Sequence, residues 1–303
     1  MTECERIIEQ GILPESFFKE EEICDFLVTE KRKKLWAVGI DLLFIFDDIC
    51  RKHNLNYFLS FGSLLGAIRH NGFIPWDDDI DVCMPRKDYQ VLLSLSKEFK
   101  FPYFLQIPGE DKGYFFSYAK LRNSNTSAIA APFRYEQFNQ GIGLDIFTID
   151  NCIEKFADAN WDRINDLILW NSANMRRSLP HPTKSDIERF HKYPLRNGKE
   201  ILEELKRIAT QYNNIQTDYG IASTVTAYRA HRQIYRWSDI LDTVDFCYYG
   251  RKIKIPRNYD EILKITYGNY MQLPTKEQRG SWHVNAMFEP DIPYQQYLKI
   301  VRE

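Results

Sequence analysis

The 303-residue sequence has no apolar run long enough to cross a membrane: its most apolar stretch, Leu35 to Phe46, is short and carries Asp41. The basic cluster Lys31 to Lys34 begins too deep in the chain for a secretory signal. A soluble, cytoplasmic protein is expected, with Leu35 to Phe46 as a core helix and any contact with the inner face of a membrane peripheral. The six cysteines (Cys4, Cys24, Cys50, Cys83, Cys152 and Cys247) form no CxxC pair and no tight Cys/His cluster. That pattern fits reduced thiols rather than a disulfide scaffold and argues against zinc. Neither charge is in excess: 40 basic residues stand against 42 acidic ones, a net charge of -2. The chain therefore offers no overall field for nucleic acid, and an anionic ligand has to be met by local basic groups. Low-complexity tracts are absent, and 44% hydrophobic with 27% charged residues is the balance of a folded protein with a sizeable core.

What the sequence does have is concentrated between Phe61 and Met84, FGSLLGAIRHNGFIPWDDDIDVCM, where four aspartates fall within five residues and run into an apolar strand. Unpaired carboxylates at that density cost several kcal/mol in a folded core, so the cluster is expected to recruit a divalent cation. Asp77, Asp79 and Asp81 share parity, and alternate residues of a strand project from one face about 7 Å apart. Asp79 and Asp81 flank Ile80, which points into the core with Val82, and both carboxylates are expected to reach Mg²⁺ or Mn²⁺. Asp145, in the strand GLDIF, approaches as a third ligand or as a base. Asp78 is off parity and is expected to orient a ligand or cap a backbone group.

Gly62-Ser63 precedes a short helix and is read as a phosphate loop in which Ser63 adds a hydroxyl to the backbone N–H groups. A plain turn is the alternative. Arg69 either clamps a phosphate or pairs with Asp77 or Asp78, and His70 is read as structural. Lys120 and Arg122 lie two apart on a strand and share a face; beside the metal they would neutralise a diphosphate, and on the surface they would do nothing of the kind.

The expected fold is α/β, a nucleotidyltransferase-like core with a mixed central sheet of about four or five strands, plus a largely helical second lobe. Helical periodicity spans Glu30 to Lys52, Asp88 to Phe99, Glu154 to Arg177, Glu200 to Tyr219 and Tyr259 to Thr266. Strands are read at Asn56 to Phe61, Ile80 to Met84, Phe115 to Arg122 and Gly141 to Ile149, with further short ones in Thr224 to Ile255. The Pro- and His-rich stretch Pro180 to Gly198 is read as a surface connector. The division is residues 1–153 for the N-terminal helices and catalytic core, and 154–303 for the second lobe.

The segment GSLLGAIRHNGFIPWDDDIDV resembles the signature of the LicD family of phosphocholine transferases, which includes the fukutin-related proteins. YAKLRNSNT, GLDIF and YGNYMQLP resemble that family's later landmarks, ending at His283, so the resemblance covers Leu35 to His283. It implies a nucleotidyltransferase fold and transfer of a phosphorylated small alcohol from a CDP-activated donor to a glycan hydroxyl. Gly62 and Ser63 match the family's Gly-Ser motif, Asp79 and Asp81 its metal pair, and Asp145 its third carboxylate. No acidic position is lost.

On this reading the enzyme is Mg²⁺-dependent, Asp145 orients or deprotonates the acceptor hydroxyl, and CMP leaves. The acceptor would be a glycan or lipid-linked glycan of teichoic acid, lipopolysaccharide or capsule. A choline donor needs aromatic faces, and Trp76 is the first candidate wall, with plain packing as its other reading. A ribitol or glycerol phosphate donor, nucleotidyl transfer from an NTP, and a glycan-binding scaffold without activity remain as alternatives. The released product separates phosphotransfer from nucleotidyl transfer, CMP from a CDP donor and pyrophosphate from an NTP.

Overall fold

The computed structural model describes residues 1–153, 156–222, 230–280 and 286–302, with backbone alone at 156–159 and 230–231. Helix α1 (Glu3–Glu9) and a hairpin of β1 (Glu21–Ile23) and β2 (Phe26–Val28) lead into α2 (Glu30–Lys52). The last has the bounds its apolar spacing predicts. Thr29 caps it by accepting the N–H of Arg32, and Leu35, Val38, Leu42 and Phe46 are buried. Asp41 is tolerated in this face because Arg6 lies 2.5 Å away and the Tyr103 hydroxyl donates to it at 2.8 Å.

Strand β3 (Phe58–Leu59) is shorter than the expected Asn56 to Phe61. Phe61 has a φ of 46° and turns the chain directly into α3 (Phe61–His70), so Gly62 and Ser63 lie inside that helix rather than ahead of it. Gly66 lets the following turn cross the helix, since a Cβ there would come within 2.5 Å of the Gly72 carbonyl. After β4 (Ile80–Pro85) comes α4 (Arg86–Ser94), which gives way to a short 3₁₀ turn before Phe99.

Strands β5 (Tyr103–Gln106) and β7 (Ser127–Ala130) are additions to the sequence reading, and between them β6 (Ala119–Asn123) is shorter than Phe115 to Arg122. The long β8 (Ile142–Cys152) is the spine of the main sheet. It runs parallel to β4 and antiparallel to β6, and its side chains are buried almost throughout.

Helix α5 (Phe156–Arg176) follows; Glu154 and Lys155, at the expected start of this helix, lie outside the described residues. The expected connector Pro180 to Gly198 contains a helix, α6 (Lys184–Lys192), started by a capping box between Thr183 and Asp186. Helix α7 (Gly198–Ala209) stops well short of Tyr219, leaving Tyr212 and Ile215 beyond its end. Its Ile201, Leu205 and Ile208 pack with Ile164 and Leu167 of α5 in a second small core.

Strand β9 (Tyr219–Ile221) pairs with the end of β8, and β10 (Ile234–Arg236) pairs with β9. The main sheet thus has seven strands among the described residues, more than expected, because the chain returns to it after α7. Of the expected strand region Thr224 to Ile255, residues 223–229 touch its start and lie outside the described residues. It does contain α8 (Trp237–Leu241) and the hairpin of β11 (Thr243–Tyr248) and β12 (Arg251–Pro256). Helix α9 (Tyr259–Tyr267) matches its expected span closely. Strand β13 (Ala286–Glu289) then crosses back to pair with β7, and α10 (Tyr294–Arg302) follows. Among the described residues no helix is long and apolar enough to cross a membrane.

Candidate active site

Three adjacent strands bring the chemistry together. In register, Asp81 of β4 lies beside Asp145 of β8, and Asp145 lies beside Lys120 of β6. Neighbours across a ladder project from the same face, so two carboxylates and an ammonium stand in one row. Asp79, one step before β4, completes a group: carboxylate oxygens of Asp79, Asp81 and Asp145 lie within 4.8 Å of one another. Asp77, Asp78 and Asp79 meet the same limit, so Asp79 is common to both groups. The expected convergence of Asp79, Asp81 and Asp145 is present, although Asp81 is the only aspartate of the DDDID run within the strand.

Helix α3 holds this row in place. Ser63 Oγ accepts the backbone N–H of Asp81 at 2.8 Å, which gives the hydroxyl a structural bond rather than the open position expected of a phosphate loop. Gly62 leaves room for a related contact: a Cβ there would sit 2.7 Å from Asp77 Oδ2, so any side chain would displace that carboxylate. The Asp77 carboxylate leans over the first turn of the helix in the space the missing side chain leaves. Asp77 Oδ1 also accepts the N–H of Asp78 at 3.1 Å.

The carboxylates of the row crowd one another. Burial, and then the negative charge of Asp79, push the Asp77 and Asp81 carboxyls well above the ordinary aspartate range. Lys120 is the one opposing influence among the leading causes at Asp81. Its Nζ lies 2.7 Å from Asp145 Oδ1, an ion pair without the alignment of a hydrogen bond, and that oxygen is buried. The Lys120 ammonium thus acts on two carboxylates, Asp145 by contact and Asp81 through its charge.

Arg122 shares the face of Lys120, as its parity requires, but its guanidinium is committed. Nε donates to Gln106 Oε1 and Nη1 to the Gly141 carbonyl, each at 2.6 Å. It is a buried fixed charge on the face of the carboxylates, not a surface residue. Arg69 donates from Nη1 to the Tyr270 carbonyl at 2.8 Å and from Nε to His70 Nε2 at 2.9 Å. This tie to the segment after α9 takes the place of the expected pairing with Asp77 or Asp78. His70 packs edge-on to Trp76 and is held neutral, its pKa lowered to about 4 by burial and by Arg69.

Trp76 is 7% exposed, with the Arg279 guanidinium 5.1 Å above its ring and Phe26 at its edge. The chain's own cation occupies this ring, which makes Trp76 packing instead of a wall for choline. His283 lies outside the described residues.

Sequence reading missed Arg32, whose Nη1 donates to the Asp77 carbonyl at 2.8 Å while Trp36 Nε1 donates to the same oxygen at 2.9 Å. The signal was its place in the first turn of α2, on the side facing the aspartates. It also missed a hollow of about 180 Å³ that opens beside Asp78, Asp79 and Asp145 and runs past Lys120 and Arg122 to Tyr118 and Phe116. The alternation of those last four residues ahead of and along β6 was visible in the sequence.

Comparison with known proteins places residues 54–184 in the LicD/FKTN/FKRP nucleotidyltransferase domain family. That span contains every carboxylate of the cluster together with Gly62, Ser63, Lys120 and Arg122. The chain is 26% identical over 258 residues to the lipopolysaccharide cholinephosphotransferase LicD of Haemophilus influenzae, covering 83% of this chain and 95% of that protein. Shorter matches are to uncharacterized proteins of Rickettsia prowazekii, 34% identical over 76 residues, and Rickettsia typhi, 38% over 53 residues. These cover 25% and 18% of this chain, and 25% and 17% of those proteins. The mixed α/β core described above is accordingly a nucleotidyltransferase-like fold, and residues 54–184 of it are similar to the LicD/FKTN/FKRP domain.

Proposed function

We propose that this protein transfers phosphocholine from CDP-choline to a hydroxyl of a cell-surface glycan or its lipid-linked precursor, with release of CMP. The observation that carries the reading is the row Asp81, Asp145 and Lys120 on three adjacent strands, completed by Asp79, at the mouth of a hollow. The name of the Haemophilus relative, similar over nearly its whole length, supports phosphocholine as the group moved and lipopolysaccharide as the acceptor class.

Asp79, Asp81 and Asp145 fit a hard divalent cation such as Mg²⁺ or Mn²⁺. The donor set is all carboxylate oxygen, two of the neighbouring carboxyls resist ionising in each other's company, and Asp145 Oδ1 is buried without an aligned hydrogen bond. Bound there, the ion would neutralise the donor's diphosphate and polarise the transferring phosphorus.

The chain's own groups do the rest. Lys120 exchanges its partner Asp145 for a phosphate oxygen when the donor enters, and Arg122 adds a fixed positive field from beneath. Asp145, released from Lys120, takes the proton of the acceptor hydroxyl. The acceptor oxygen bonds to the phosphorus distal to cytidine while the bond from that phosphorus to the CMP oxygen breaks, and CMP carries away the electron pair. Asp77 and Asp78 orient the loop that delivers Asp79, with Arg32 fixing the Asp77 carbonyl.

The test is product analysis. Purified protein with Mg²⁺, a glycan acceptor and a panel of CDP-choline, CDP-ribitol, CDP-glycerol and CTP should release CMP from CDP-choline. Pyrophosphate release from CTP, or CMP release from a polyol donor alone, would overturn the reading.

A further inference from the structure

The hollow beside the carboxylates has two chemically distinct ends. One carries Lys120 and Arg122 with Asp79 and Asp145. The other is lined by Phe116, Phe133 and Phe138, and Phe288 adds a further ring to the lining from β13. Phe116 and Phe133 stand at 89° with ring centroids 5.5 Å apart, so they form a corner rather than a stack. The space in front of that corner exists because the β7 and β13 ladder presents small residues. Ala128 and Ala130 face Phe288 and Ala286 across the register, and all four line the hollow.

We propose that this corner, and not Trp76, receives the quaternary ammonium of the donor alcohol, which makes choline the group the site selects. The proposal rests on the phosphotransfer reading above and assigns the donor's alcohol end within it. Three arguments favour this occupant. Aromatic faces attract a desolvated quaternary ammonium, which offers no hydrogen bonds and needs none. A polyol phosphate or a cytosine base would need donors and acceptors here. The amide nitrogen lining this end, Nε2 of Gln140, is already committed to the Phe133 carbonyl at 3.0 Å.

Continuity is the third argument. The Lys120 ammonium lies 5.5 Å from the Tyr118 ring, and Tyr118 in turn lies 5.7 Å from Phe116, so an unbroken aromatic surface leads from the phosphate end to the corner. Phe133 already has the Arg176 guanidinium 5.9 Å from its ring, so Phe116 and Phe288 are the walls to test.

The experiment uses the whole chain with Mg²⁺ and compares CDP-choline with its neutral isostere, the CDP ester of 3,3-dimethylbutanol, which has the same shape without the charge. Affinities are measured by calorimetry alongside CMP. The wild type should favour CDP-choline by about tenfold, as a desolvated cation–π contact permits. Phe116→Leu and Phe288→Leu, which keep apolar bulk, should each cut that preference severalfold while CMP affinity stays put and shows the fold to be intact. A preference that survives both substitutions overturns the assignment, as does an equal loss of CMP affinity, which would make the corner a base site. Turnover of a polyol donor in place of CDP-choline overturns it too. The phosphotransfer reading fails separately, if the wild type releases CMP from no CDP-alcohol at all.

Discussion

Both backbone polar groups of Asp81 are tied to the start of α3: its N–H donates to Ser63 Oγ at 2.8 Å, and its carbonyl accepts the N–H of Ser60 at 3.0 Å. The Gly-Ser step of the sequence motif thus works as a brace that fixes a carboxylate-bearing strand against a helix. A phosphate held by the same turn would be bound by backbone N–H groups next to this brace.

Ser63→Ala leaves the half-buried Asp81 N–H without its acceptor, a loss of about 1 kcal/mol. Urea unfolding should register it, and turnover should fall as Asp81 loosens. Unchanged stability would mean that the bond is not formed in solution.

Gly62→Ala drives a methyl group into Asp77 Oδ2. The expected result is a folded protein whose Mg²⁺ affinity is weaker by roughly tenfold, the scale of a disturbed supporting partner at a metal site. Calorimetric titration with Mg²⁺ and circular dichroism together check it.

Asp79→Asn and Asp81→Asn should each lower turnover by orders of magnitude, because each removes a ligand from the proposed cation. The same substitutions relieve crowded negative charge, so thermal stability without metal should hold or rise while the stabilisation by added Mg²⁺ disappears. Full activity of either variant at limiting Mg²⁺ would remove the pair from the mechanism.

Lys120→Met separates two roles of one side chain. Without its ammonium at Asp145, Mg²⁺ should bind about tenfold more tightly. KM for the donor should nevertheless rise, since the phosphate loses its counter-charge. Changes in the same sense in both quantities would mean that Lys120 meets only Asp145.

His70 supplies a pH test away from the carboxylates. Its pKa is lowered to about 4 from an ordinary 6.5 by burial and Arg69, and Arg69 Nε donates to Nε2, which must keep its lone pair. The unfolded chain binds this proton first, so His70 removes stability as pH falls from about 6.5 toward 4 and removes none above that window. The difference in stability between wild type and His70→Gln should therefore narrow or reverse on acidification across that range. A difference independent of pH would place the imidazole in solvent.

Much of this was legible because local patterns carried it. Helix α2 announced itself through a long apolar stripe, and Asp79, Asp81 and Asp145 could be named from an Asp-x-Asp run and a GLDIF strand. Their meeting depended on the parallel register of β4 with β8, which no local pattern encodes. Helix α6 hid in a segment whose composition reads as loop, although Thr183 and Asp186 marked its start. Trp76 looked like an open wall because it adjoins the aspartates in sequence, and only the fold brings Arg279 over its ring. Phe288 was invisible as a site residue for the same reason: β13 finds β7 across more than half of the chain.

That last pairing has a consequence for biosynthesis. The strand that shapes one side of the hollow leaves the ribosome long after the carboxylates do. The acidic cluster is therefore synthesised while β7 still lacks its partner strand, and the hollow takes its final lining only once β13 has followed.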